Sequence, residues 1–199
     1  MKLKTIILFM LFAFLCTTVG ANDKNVTHST VSSGDVVTWY DGDTQRKAYI
    51  LKDYIVELGS SPSTVKSIDK NAETRLTRGN IKLHKISDAN LKENLAKGVV
   101  PANVKKQGAF LPALSTTGDE SGLIVPSGNI IVKLNTKEES EAKAWAAKHN
   151  LKYVKKLFGS LFVVESVAGL EAIQLANELR NKEGVLSATP DFYTNAVPK

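Results

Sequence analysis

Cysteine is almost missing from this sequence. Its 199 residues hold one, Cys16, inside an apolar stretch near the start. That count excludes a disulfide framework and a cysteine-based metal module. Histidine is scarce too. His28, His84 and His149 stand far apart, and none has a second histidine or a carboxylate at metal-ligand spacing within one element. His84 has Asp88 four residues on, but across an element boundary. No Gly-rich phosphate loop, no G-x-S-x-G elbow and no H-E-x-x-H pair occurs. Neither an enzyme nor a cofactor is therefore expected.

Long apolar runs are also lacking. The longest, Ile6 to Leu15, is too short to span a bilayer. Lys2 and Lys4 precede it, and the small residues Val19-Gly20-Ala21 follow before Asn22. Basic, apolar and small segments in that order describe a secretory signal peptide over 1–21, so a periplasmic or secreted protein is expected. The residues before Cys16, Ala13-Phe14-Leu15, lack the small side chain that precedes a lipidated cysteine, so a lipid anchor is not the reading. No membrane contact is expected after cleavage.

A strong charge of either sign is absent as well. The net charge is +6, and removing Lys2 and Lys4 with the leader leaves +4. The basic residues alternate with acids, as in Lys137-Glu138-Glu139 and Arg180-Asn181-Lys182-Glu183, and no RNA-binding aromatic signature accompanies them. Nucleic acid is not an expected partner. A hydrophobic fraction of 43% against 23% charged residues excludes global disorder.

What is present is strand and helix patterning. Residues 22–34 are polar and without period, a flexible segment. Residues 35–128 read as a β-rich extension. Val36–Tyr40, Ala48–Leu51 and Tyr54–Leu58 suggest strands, with a turn at Asp41-Gly42-Asp43. Ile81–Ile86 alternates like another strand, and Ser87-Asp88 cap a short helix carrying Leu91 and Leu95 and ending at Gly98. Residues 99–128, with Pro101, Pro112 and Pro126, read as an extended connection.

From 129 to 199 the pattern sharpens. Ile130–Leu134 is a strand. Thr136 and Glu139 have the spacing of a capping box before a helix carrying Ala142, Trp145, Ala146 and His149, with Asn150 at its left-handed end. Leu151–Phe158, the turn Gly159-Ser160 and Leu161–Glu165 give two further strands. Gly169 opens a helix with the stripe Ala172, Ile173, Ala176 and Leu179. Val185–Thr189 is a fourth strand, broken by Pro190. The order β-α-β-β-α-β predicts an α+β protein with a C-terminal ferredoxin-like sandwich. Both helices of such a sandwich cover one sheet face. Ile131, Leu161 and Val163 then fall on the other as an apolar patch, with Glu165 at its rim, the mark of an interface.

Gly128–Leu134, Lys148–Val154 and Ala188-Thr189-Pro190-Asp191-Phe192 together resemble the propeptide of secreted subtilisin-like serine proteases. Trp39-Tyr40-Asp41-Gly42 is similar to the extension that precedes some long prodomains of this family. The resemblance implies a chaperone and/or inhibitor, monomeric when free, whose open sheet face packs on two surface helices of the protease. It further implies that the exit from the last strand, Phe192, Tyr193, Thr194, Asn195, Ala196, Val197, Pro198 and Lys199, lies in the active-site cleft like substrate, with Lys199 in the pocket before the scissile bond. No subtilase catalytic element occurs in these 199 residues. A free-standing inhibitor or external chaperone is the expectation. A prodomain of a longer precursor, or an interaction protein with no protease partner, is the alternative.

Overall fold

A computed structural model describes residues 36–59 and 62–193, all of which fall in one compact unit. The leader, the segment 22–34 and the tail from Thr194 to Lys199 lie outside the described residues. The described residues form an α+β structure, with mostly antiparallel strands and four α-helices.

Strands β1 (Val36–Asp41) and β2 (Thr44–Leu58) form a hairpin around Gly42, whose φ of 60° is the left-handed conformation that a tight turn needs. The two runs expected at Ala48–Leu51 and Tyr54–Leu58 are one strand. The polar pair Lys52-Asp53 marks a shift in pairing register, not a break. β2 then pairs with β4 (Ile81–Lys85) on one side and β5 (Ala109–Ser115) on the other. β3 (Glu73–Arg78) and β6 (Leu123–Ile124) complete the sheet in the order β3-β4-β2-β5-β6.

Helix α1 (Ala89–Ala96) starts where the sequence predicts, with the Asp88 carboxylate accepting the Leu91 N–H at 2.7 Å. Leu91 and Leu95 pack with Ile55, Ile86 and Phe110 on one face of the sheet. The other face is covered as well, by a cluster that includes Val56, Leu83, Leu123 and Val125. The reading of 99–128 as a connection is overturned. It contains α2 (Ala102–Lys105) and the strand β5, with Phe110 and Leu114 fully buried. Its prolines sit where the backbone tolerates them. Pro101 caps α2, and Pro112 lies where β5 has no second neighbour among the described residues.

The second sheet is built from β7 (Pro126–Leu134), β8 (Tyr153–Lys156), β9 (Leu161–Glu165) and β10 (Val185–Phe192) in the order β10-β7-β9-β8, every pairing antiparallel. Helices α3 (Glu139–Lys148) and α4 (Leu170–Leu179) connect β7 to β8 and β9 to β10. Ile130, Val132, Leu134, Phe162, Val164 and Ala188 face them and share one core with Ala142, Ala146, Ala176 and Leu179. Two local expectations need correction. The N-cap of α3 is Glu138, not Thr136, whose hydroxyl instead accepts the Glu138 N–H at 3.0 Å. Nor does Pro190 end the last strand, since β10 is an edge strand that a missing donor does not interrupt. Asn150, at φ 55°, ends α3 in the left-handed conformation as its side chain allows.

Helix α4 ties the two sheets together. Ala176 and Leu179 pack on its own sheet, whereas Leu170 and Ile173 pack against Val37, Trp39, Ile50 and Leu114 of the first. Burying those two aliphatic side chains contributes about 1.5–3 kcal/mol each. The join has polar contacts too. Asn177 donates to the Thr38 carbonyl at 2.9 Å, and Arg180 donates to the Gly42 carbonyl with its guanidinium 4.1 Å from the Tyr40 ring centre. The Trp39-Tyr40-Asp41-Gly42 segment therefore holds the C-terminal helix in place.

Candidate docking surface

The side of the second sheet away from α3 and α4 follows from the strand register. Ile131 stands opposite Val163 and Thr189, and Lys133 opposite Leu161 and Ser187. Lys155 pairs with Val163 from the other side, and Asn129 with Glu165. Because side chains alternate along a strand, the inward set Ile130, Val132 and Leu134 fixes these residues on the outer face.

None of the four apolar clusters of the described residues includes Ile131, Leu161 or Val163. Ile131 and Leu161 are half-buried. Val163, between Ile131 and Lys155 in the ladder, is only 4% exposed. The centre of the face is thus apolar, and among the described residues it belongs to none of the apolar clusters. Its charged groups are mostly cationic. Lys133 and Lys155 are exposed and have no side-chain hydrogen bond or ion pair among the described residues. Glu165 is not a free acid, for Lys152 holds its carboxylate at 2.5 Å.

Phe192 and Tyr193, expected in an extended tail, are fixed to the body of the protein. The Phe192 ring lies 5.2 Å from Trp39, in the cluster that joins α4 to the first sheet. The Tyr193 N–H donates to the Val125 carbonyl at 2.9 Å, and its side chain packs on the cluster of Leu111, Leu123 and Val125. They set the place and direction in which the chain leaves β10. Thr194, Asn195, Ala196, Val197, Pro198 and Lys199 lie outside the described residues.

A buried polar network elsewhere went unnoticed in the sequence. In the first sheet, His84 is fully buried and its Nε2 lies 2.9 Å from Glu57 Oε2. The same oxygen accepts from the Ser63 hydroxyl at 2.5 Å, and Oε1 accepts from the Thr64 N–H at 2.8 Å and its hydroxyl at 2.9 Å. Thr74 Oγ1 is 3.0 Å from His84 Nδ1. Burial pushes the Glu57 carboxyl up, but these donors outweigh it and hold it below the usual range. Burial pushes His84 down, and the opposing pull of Glu57 does not restore it. A neutral imidazole donating from Nε2 and accepting the Thr74 hydroxyl satisfies every atom of the network. Its role is to pin the Ser63-Thr64 loop to the sheet. Among the described residues no three His, Cys, Asp or Glu side chains are grouped to hold a metal ion.

No family model matches this chain. Neither do the curated proteins or the solved structures.

Proposed function

We propose that this protein binds a secreted subtilisin-like serine protease, as folding chaperone and/or inhibitor, through the outer face of its C-terminal sheet. The observation that carries the reading is the half-buried apolar pair Ile131 and Leu161, flanking buried Val163 on the face opposite both helices and joined to none of the apolar clusters of the described residues. Such a patch usually marks an interface. The succession β7-α3-β8-β9-α4-β10 and the sheet order β10-β7-β9-β8 support a ferredoxin-like sandwich, the architecture that the propeptide resemblance implies.

In this reading Phe192 and Tyr193 act as the anchor from which Thr194–Lys199 enters the protease cleft. There the tail adds a strand by main-chain hydrogen bonds, and Lys199 sits in the pocket before the scissile bond. The contact that Glu165 would make with a partner helix N-terminus competes with its ion pair to Lys152, so Ile131 and Leu161 carry most of the docking.

Co-expression with candidate secreted subtilases tests this, scored by recovered protease activity and by co-purification. Activity recovered only when this chain is present supports the reading. A pull-down that returns no protease favours an interaction protein of another kind.

A further inference from the structure

The loop between β8 and β9 belongs neither to the core nor to the centre of the outer face. It closes through the Leu157 N–H to the Leu161 carbonyl and the Leu161 N–H to the Phe158 carbonyl, both 2.9 Å, with Gly159 at φ 55°. That closure leaves Phe158 at the tip, 71% exposed, the most exposed large apolar side chain among the described residues. Leu157 and Val154 on the same hairpin are exposed at 40% and 43%. The tip is therefore an apolar projection and not a lone surface residue.

Within the hairpin itself the charge has one sign. From Leu151 to Val164 the sequence carries three lysines and no acid. Only Lys152 makes an ion pair, with Glu165 at the end of β9. Lys156 donates to the Lys137 carbonyl at 2.7 Å and its charge acts on Glu139, whereas Lys155 has no side-chain partner among the described residues. Lys133, across the ladder from Leu161, is unpaired as well. An apolar tip flanked by cations complements a surface that is anionic outside and apolar just beneath, which is the interface of an anionic lipid bilayer. No helix of the described residues is long and apolar enough to cross a membrane.

We infer that the β8–β9 hairpin is a membrane-surface anchor. Leu157 and Phe158 enter the boundary between headgroups and acyl chains, while Lys133 and Lys155 meet lipid phosphates. With so few apolar groups the contact is weak and reversible, and it depends on the lysines, so salt weakens it. The inference is independent of the protease reading.

The test uses the full chain with Cys16→Ser. An environment-sensitive fluorophore is attached through Phe158→Cys in one sample and through Thr77→Cys, exposed on β3, in another. Vesicles of phosphatidylglycerol with phosphatidylcholine are compared with phosphatidylcholine alone, some carrying a nitroxide quencher in the acyl region. The result expected is a blue shift and quenching at position 158 but not at 77, on anionic vesicles only and reduced at high salt. Lys133→Glu with Lys155→Glu, both exposed and without side-chain partners among the described residues, weakens that response by on the order of tenfold or more. Three outcomes overturn the inference. One is no response at 158 on anionic vesicles. Another is an equal response at 158 and 77, which assigns binding to another part of the chain such as the apolar run Ile6–Leu15. The third is shielding at 158 that grows with protein concentration in the absence of lipid, which assigns the tip to a second copy.

Discussion

Replacing His84 with leucine separates two contributions to stability that are merged in the native protein. At neutral pH the variant keeps an apolar side chain in the site but removes the Nε2 donor from the Glu57 carboxylate, leaving it the Ser63 and Thr64 donors. Loss of one hydrogen bond to a buried charge costs about 1.5–3 kcal/mol. The pH dependence is more telling. In the folded protein burial holds the His84 pKa below its ordinary value near 6.5, whereas the unfolded chain titrates at that value. Between the two values the unfolded state binds the extra proton, so stability falls as pH falls through this window. The slope is at most about 1.4 kcal/mol per pH unit for one proton. Glu57 adds a second loss at lower pH. Its folded pKa lies below 4.5, so the stability it contributes is present above that value and declines as pH drops toward the folded one. His84→Leu should remove the first step and keep the second. Urea unfolding followed by tryptophan emission, repeated at intervals from about pH 7 to pH 4, measures both. Parallel stability–pH curves for the two proteins down to the Glu57 step would refute a neutral, buried His84. A variant as stable as the native chain at neutral pH would refute the dependence of Glu57 on this donor.

Other substitutions test the joints of the fold. Asp88→Ala removes the carboxylate that accepts the Leu91 N–H and should lower stability by about 0.5–2 kcal/mol, read as a drop in urea midpoint with an unchanged slope. Phe192→Ala takes away the ring against Trp39 and should cost about 1–3 kcal/mol while changing the near-UV circular dichroism. An unaltered aromatic signal would mean that Trp39 does not rest on this ring. Val163→Asp, which looks like an interface substitution from the sequence, should instead unfold the protein, since Val163 is only 4% exposed. Native-like melting of that variant would contradict its placement.

The C-terminal module was readable because its signals are local and mutually consistent. Gly169 and Asn150 bound the helices where the backbone demands unusual angles, and Ala172, Ile173, Ala176 and Leu179 all proved to be buried. Density of proline misled the reading of residues 99–128. Each proline there marks a cap, an edge or a strand start, and Phe110 and Leu114 between them were the better guide. The Glu57–His84 pair was invisible because it joins residues 27 apart through strand register. His84 lies opposite Ile55, which puts Glu57 diagonally beside it, and directly opposite Thr74. Neither spacing appears in a linear motif. The roles of Phe192 and Tyr193 were hidden for a similar reason. Their partners Trp39 and Val125 lie far back in the chain, and the sequence alone shows only a strand running out after Pro190.

On the proposed function, another molecule finishes the outer face of the second sheet. Ile131→Asp addresses this with little risk to the fold, because Ile131 is half-buried and belongs to no internal cluster. The decisive measurement is the protease activity recovered when a secreted subtilase is co-expressed with the native chain or with this variant, with circular dichroism confirming that the variant is folded. Activity and co-purification with the native chain, and loss of both with Ile131→Asp, are the predicted result. Equal recovery with the two chains would contradict it.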